Sequence, residues 1–86
     1  MWKIKDDVSL TELEMYGYHK YFDQYVKLLD PSSLDIDEII IKSDRTIWNY
    51  ICFTLRITDR YYDTVLADHN VYKIKDLIID GLVEKI

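Results

Sequence analysis

The chain contains few glycine and proline residues, which interrupt regular structure, and little cysteine, which forms covalent cross-links. Its 86 residues include two glycines, one proline and one cysteine. A single thiol cannot form an intramolecular disulfide, so the fold does not depend on an oxidising compartment. The scarcity of glycine and proline, with 49% hydrophobic residues, excludes a disordered tail or a flexible linker. The sequence therefore predicts one globular domain, residues 1–86.

Basic residues and long apolar runs are also scarce. Lysine and arginine total 11 against 16 aspartates and glutamates, which gives a net charge of −5. Because a phosphate backbone repels an acidic chain, direct nucleic-acid binding is not expected. The N-terminus has no apolar run of signal-peptide length, and no apolar run approaches the ~20 residues that span a bilayer. We expect a cytoplasmic protein with no membrane contact.

The motifs that usually carry catalysis are missing. Gly17 and Gly81 are too few for a phosphate-binding loop, and no serine lies in a nucleophile elbow. Cys52 with His19 or His69 supplies the residue types of a thiolate nucleophile, but nothing else in the sequence supports that pairing. The sequence therefore predicts a binding protein and not an enzyme.

The same three residues are of metal-ligand type. His19, Cys52 and His69, completed by Asp63 or Asp68, would make a four-coordinate zinc site. Structural zinc ligands usually come in pairs roughly two to five residues apart, and these three are widely separated in the sequence. The simpler interpretation is two solvated surface histidines and a small buried cysteine. We expect no cofactor and keep zinc as the minority hypothesis.

Two segments near the N-terminus have clear local signals. Alternation of apolar and basic residues over 2–5 predicts a short strand near a sheet edge. Ser9 and Glu12 have the spacing of a capping box, which predicts a helix starting at Leu10. Gly17 then supplies the left-handed residue that ends such a helix.

The middle of the chain predicts strands. Residues 18–29 fit both a helical stripe and a strand, and their aromatic and β-branched content favours the strand. Residues 30–33, with the single proline, predict a turn. Residues 36–41 and 46–55 predict a hairpin around a polar turn. The second strand is apolar on both faces, which is typical of a central strand, a covered strand or a binding surface.

The C-terminal third predicts a second helix. Residues 58–62 suggest a turn, and Asn70 is placed to cap a helix over 71–80 that Gly81 ends. Residues 82–86 can return as a short strand. The sequence thus predicts a single α+β domain, with a small mixed or antiparallel sheet of about four strands and two main helices.

Tyrosine is the most unusual feature of the composition, with eight residues. Interfaces use tyrosine because it offers a large contact area at low entropic cost. The alternative is that AT-rich coding selects tyrosine together with isoleucine, lysine and aspartate, and that most rings line the core. Acidic residues bracket the predicted hairpin, either as a solvated face or as a patch for a basic partner. The candidate partner-binding residues are Asp35, Asp37, Glu38, Asp44, Trp48 and Tyr50.

Both ends of the chain carry a family resemblance. The first eight residues are MWKIKDDV, followed by Leu10, Leu13-Glu14 and Tyr16-Gly17-Tyr18; the other end contains KDLI at 75–78 and GLVEKI at 81–86. These segments resemble the small accessory proteins carried by phages and prophages of Gram-positive bacteria.

Some proteins of that setting are anti-CRISPR inhibitors, which bind a CRISPR effector and block nucleic-acid loading or nuclease action. The resemblance implies an inhibitor of an RNA-guided host defence nuclease that acts by stoichiometric contact. The alternative is a phage regulatory or housekeeping interaction module, with or without a stabilising zinc. At −5 the chain is less densely charged than inhibitors that mimic DNA, which favours contact with a protein surface.

Overall fold

The computed structural model describes residues 1–53 and 60–86. Seven strands are seen in them: β1 (Trp2–Ile4), β2 (His19–Tyr21), β3 (Gln24–Leu28), β4 (Ile36–Ile41), β5 (Ile47–Phe53), β6 (Arg60–Val65) and β7 (Val83–Lys85). Two 3₁₀ helices span Leu10–Tyr16 and Asp68–Ile74, and the second continues into a short α-helix, α1 (Lys75–Ile79). The predicted α+β class is confirmed.

The strands form two antiparallel sheets. The larger has the order β2-β3-β4-β5-β6, in which each strand pairs with its neighbour in sequence, and the smaller joins β1 to β7 near the two ends of the chain. A bridge between Lys3 and Thr46 links the two sheets. The predicted number of about four strands is too low for two reasons. Residues 18–29, predicted as one strand, form the two strands β2 and β3. Residues 60–65, part of which is predicted as a turn, form the additional strand β6.

Local geometry explains the first difference. Phe22 has a φ of +57°, so the chain turns between β2 and β3, and the predicted single strand becomes a hairpin. The second difference has a non-local cause, because Tyr61 and Tyr62 pair with Cys52 and Ile51 of β5. The turn expected over Thr58 and Asp59 lies outside the described residues.

One face of the large sheet is covered. Side chains of Tyr25, Ile39, Ile41 and Ile47 meet residues of the helices and of the small sheet in one hydrophobic core. The full core cluster is Ile4, Leu13, Tyr18, Tyr25, Ile39, Ile41, Ile47, Leu66, Ile74, Leu77, Leu82 and Val83. Complete burial of such an aliphatic side chain contributes about 1.5–3 kcal/mol. Packing of the helices and the small sheet against these residues therefore makes this the core face.

The capping-box prediction at Ser9 is wrong. The Glu12 N–H, which a capping hydroxyl would bind, donates to the Ser9 carbonyl at 3.0 Å. This is the i to i+3 bond of a 3₁₀ helix. The Ser9 hydroxyl pairs with the Thr11 hydroxyl at 2.8 Å and makes no cap. The predicted end at Gly17 is confirmed, because Gly17 has a φ of +89° and its N–H donates to the Glu14 carbonyl.

The second helical segment begins earlier than predicted. Its N-cap is Ala67 and not Asn70, whose N–H donates to the Ala67 carbonyl at 2.9 Å. Asn70 therefore lies inside the first turn. The predicted end at Gly81, with a φ of +74°, and the predicted final strand are both confirmed. In the part of the chain that the structure describes, no helix is long and apolar enough to cross a membrane.

Arg45 connects the large sheet to the N-terminal segment. It lies in the turn between β4 and β5 with a φ of +74°. Its Nη1 donates to the carbonyls of Lys5 at 2.8 Å and Val8 at 2.7 Å. The turn thus holds the segment that leads into the first 3₁₀ helix.

Candidate protein-binding face

The second face of the large sheet, here called the open face, points away from the core. The strand registers place on it side chains from all five strands: His19, Tyr21, Gln24, Val26, Leu28, Ile36, Glu38, Ile40, Trp48, Tyr50, Cys52, Tyr61, Asp63 and Val65. Val26 is buried yet does not belong to the core cluster, as expected for a residue hemmed in by its neighbours on this face. The helices and the small sheet supply their buried residues to the opposite face.

The centre of the open face is a row of three side chains on adjacent strands. Tyr50 of β5 lies between Glu38 of β4 and Asp63 of β6. In the adjacent row Tyr61 lies opposite Cys52, and the Tyr50 and Tyr61 ring centroids are 6.2 Å apart with planes at 30°. Tyr61 is 68% exposed. The arrangement is an aromatic surface flanked by carboxylates.

Trp48 lies on the other side of that central row and is held in place. The Lys42 Nζ is 3.7 Å from the centroid of the indole ring, and the indole N–H donates to the Thr46 hydroxyl at 3.0 Å. A cation over a ring contributes roughly 0.5–1 kcal/mol at an exposed site. These two contacts reduce the freedom that Trp48 would lose on meeting a partner.

Desolvation raises the pKa of the Tyr50 hydroxyl, and a hydrogen bond with the Cys52 thiol and the nearby Glu38 charge add to the effect. Tyr50 therefore stays protonated at neutral pH. A protonated phenol can donate a hydrogen bond to a partner as well as present its ring.

The structure separates the six candidate partner-binding residues. Glu38, Trp48 and Tyr50 share the open face. Asp44 lies in the turn after β4, where its carboxylate accepts from the Thr46 hydroxyl at 2.5 Å, and that bond lowers the pKa of Asp44. Asp35 precedes β4, and its N–H donates to the Ser33 hydroxyl at 3.2 Å.

Asp37 lies on the core face, where it is bound by two side chains. The Lys73 Nζ is 3.0 Å from one carboxylate oxygen, and the Asn49 amide donates to the other at 2.8 Å. Asn49 also accepts from Lys73 at 2.8 Å. The sequence pattern did not predict this network. The only signal was a polar Asn49 at an apolar position of β5, between Ile47 and Ile51.

The three candidate metal ligands lie far apart. His19 and Cys52 both belong to the open face, but β2 and β5 are three strand spacings apart, roughly 14 Å. His69 belongs to the second 3₁₀ helix. Asp68 accepts from Lys85 at 2.6 Å and from the Trp2 indole at 3.1 Å. Within residues 1–53 and 60–86, no three His, Cys, Asp or Glu side chains form a group that could hold a metal ion.

Residues 1–53 and 60–86 form a small α+β domain, and among them the helices and the small sheet cover one side of the main sheet and leave the other side uncovered. Comparison of the chain with protein-family models, with curated proteins and with solved structures finds no match.

Proposed function

We propose that this protein is a non-enzymatic binding module that contacts another protein through the open face. The observation that carries the proposal is the aromatic surface at Trp48, Tyr50 and Tyr61, in which Tyr61 is exposed and the other two rings are half-buried. Leu28 and Tyr21, which belong to the same face, are 42% and 59% exposed. Contiguous exposed apolar surface on a small domain is typical of an interaction site. Aromatic residues are the side chains most enriched at such sites.

The charge of the open face favours a cationic protein surface as the partner. Glu38 and Asp63 flank the central tyrosine, and the described strand positions of this face include no lysine or arginine; the Lys42 amino group, from the turn after β4, lies over the Trp48 ring. A nucleic acid would bring its phosphates toward these carboxylates and toward a chain of net charge −5. A basic protein surface would be attracted by both, which raises the rate of encounter.

The resemblance of the two chain ends to small phage accessory proteins suggests a class of partner. We propose a CRISPR effector nuclease, which the protein would inhibit by covering a basic surface. Such effectors hold their guide–target duplex in a positively charged channel, and this fits the charge of the open face. The inhibitor would act stoichiometrically, in the cytoplasm of the bacterial host, and would need no cofactor.

The test combines binding with target cleavage. Purified protein is added to CRISPR effectors, with and without guide RNA, and both the dissociation constant and the cleavage rate are measured. The decisive variant is Tyr61→Ser, with Tyr72→Ser as its control. The two rings are 68% and 69% exposed, but Tyr72 belongs to the second 3₁₀ helix. We expect Tyr61→Ser to weaken binding at least tenfold, mainly through faster dissociation, and Tyr72→Ser to leave it unchanged.

Two results would contradict the proposal at different levels. If the protein binds no effector and leaves cleavage unchanged at a large molar excess, the nuclease is not the partner and the phage interaction module takes its place. If Tyr72→Ser weakens binding as much as Tyr61→Ser, the open face is not the contact surface.

A further inference from the structure

The outer strand β6 is paired on one side, and on its other side no strand of the described residues pairs with it. Its register with β5 is continuous over six residue pairs, from Arg60 opposite Phe53 to Val65 opposite Trp48. In the sheet order, β6 has β5 as its neighbour on one side and is the last strand on the other. A row of backbone donors and acceptors at such an edge is a template for another strand.

The hydrogen-bond pattern identifies which backbone groups are free. The Leu66 N–H donates to the Ile47 carbonyl at 2.9 Å, so Leu66 faces β5. Because bonded and non-bonded pairs alternate in an antiparallel ladder, residues 64, 62 and 60 face β5 as well. The N–H and C=O groups of Tyr61, Asp63 and Val65 therefore point outward. No hydrogen bond to them is seen among residues 1–53 and 60–86.

The two edges of the sheet differ in their suitability for a further strand. The opposite edge, β2, has only three residues and ends at Phe22, whose φ is +57°. Short edges of this kind resist the addition of a strand. β6 has six residues without proline, glycine or bulge. Its edge is therefore the longer and more regular template.

We propose that β6 receives an extended segment of the partner protein as an additional antiparallel strand, with a lysine or arginine opposite Asp63. This inference depends on the proposed binding function and specifies how the partner is held. The added residue opposite Asp63 would extend the row of Glu38, Tyr50 and Asp63, in which the two carboxylates attract a cation. The next open-face positions, opposite Tyr61 and Val65, favour apolar side chains. The five partner residues opposite β6 would therefore have the pattern apolar, any residue, basic, any residue, apolar.

A second copy of this chain fits the edge less well. In a twofold antiparallel pairing centred on Tyr62, Asp63 would oppose Tyr61 of the other copy, and no basic residue would meet it. Shifting the pairing by one step on each strand would place the two Asp63 carboxylates opposite each other. Two chains of net charge −5 also repel each other. The charge therefore favours a basic partner segment.

The experiment uses a library of randomised eight-residue peptides, selected for binding to the full chain. The key variant is Asp63→Pro, which removes an outward N–H and no hydrogen bond to β5, a position where an edge strand tolerates proline. Asp63→Asn is the matched control, because it removes the charge and keeps the N–H. We expect selected peptides to carry a basic residue between apolar ones. Asp63→Pro should weaken them more than tenfold, and Asp63→Asn by a smaller factor.

Hydrogen exchange on the unmodified protein gives a second readout that does not depend on how the variant folds. A bound peptide should slow exchange of the Tyr61, Asp63 and Val65 amides at least tenfold. Unchanged exchange at these three amides would overturn strand addition. If exchange is unchanged but Tyr61→Ser abolishes peptide binding, strand addition is wrong and the proposed binding through the open face still stands. If no peptide is enriched on the protein above a Tyr61→Ser background, strand addition fails, and the effector-binding test alone decides the proposed open-face function.

Discussion

The Lys73 amino group lies 3.0 Å from an Asp37 carboxylate oxygen, and the lysine side chain is only 7% exposed. Asn49, itself buried, bonds to both groups. The pair joins the second 3₁₀ helix to the middle of the sheet. It also removes Asp37 from the acidic surface that the sequence suggests, because the Asp37 charge is neutralised inside the fold.

Asp37→Ala should therefore destabilise the protein, although Asp37 lies in an acidic chain. The substitution leaves the buried Lys73 amino group with one neutral partner, and losing one member of a buried pair costs about 3 kcal/mol or more. Because Asp37 is partly exposed, we expect a smaller cost than for a fully buried pair, about 2–3 kcal/mol by urea unfolding. Glu14→Ala, on the exposed side of the first 3₁₀ helix, should change stability by less than ~0.5 kcal/mol. Equal effects from the two substitutions would show that the pair is not structural.

Tyr18→Phe should leave the protein as stable as before or make it slightly more stable. The Tyr18 hydroxyl is buried, and no hydrogen-bond partner is found for it among the described residues. Burial raises the pKa of this hydroxyl far above its ordinary value, so it remains protonated. Removing an unsatisfied buried hydroxyl avoids a desolvation penalty of about 1–3 kcal/mol, partly offset by the small void left behind.

The comparison for Tyr18 is Tyr16→Phe, which deletes a hydroxyl that donates to Asp80 at 2.7 Å. That variant should have a lower melting temperature than the unmodified protein. A lower melting temperature for Tyr18→Phe than for Tyr16→Phe would mean that the Tyr18 hydroxyl has a partner after all.

Substitutions at Gly81 should depend on backbone conformation alone. Gly81 has a φ of +74°, and a Cβ added there would meet no atom within 4 Å. A β-branched residue resists this conformation, so Gly81→Val should cost about 1–2 kcal/mol by chemical unfolding. Asparagine tolerates it, so Gly81→Asn should cost clearly less. A larger loss for Gly81→Asn would indicate a contact of the side chain and remove the argument.

Acid should weaken the link between the two ends of the chain. The Lys85 hydrogen bond, followed by that of the Trp2 indole, lowers the pKa of Asp68 below its ordinary value of 3.8. Because the folded value is the lower one, the stabilisation is complete above the ordinary value and is lost as the pH falls through the folded value. Melting temperatures from pH 7 to pH 2 should fall less steeply for Asp68→Asn. The control is Asp7→Asn at an exposed position, whose melting temperature should depend on pH in the same way as that of the unmodified protein.

Elemental analysis of untagged protein should return no stoichiometric zinc. His19 on β2 and Cys52 on β5 are three strand spacings apart, which is too far for both to bind one ion. One zinc per chain that disappears in Cys52→Ser would restore the metal hypothesis.

Much of the fold could be predicted from short stretches of sequence. Alternation of apolar and basic residues predicts β1, because a strand places successive side chains on opposite faces, and β-branched and aromatic content around a polar turn predicts the hairpin of β4 and β5. Gly17 and Gly81 predict two left-handed ends, because glycine adopts a positive φ without a Cβ penalty.

The remaining features depend on contacts between distant parts of the chain. Tyr61 and Tyr62 form a strand because β5 pairs with them, and their local sequence gives no comparable signal. Ser9 is a local exception: its carbonyl binds the Glu12 N–H in the tighter 3₁₀ turn, and its hydroxyl makes no cap.

For the candidate site, the residues of β5 are apolar on both faces, so the sequence alone cannot tell which face is covered. The small sheet and the helices decide this by packing against Ile47 and the other core-face residues. Trp48 and Tyr50 are left on the uncovered side, because apolar burial is non-directional and only the tertiary fold determines where it occurs.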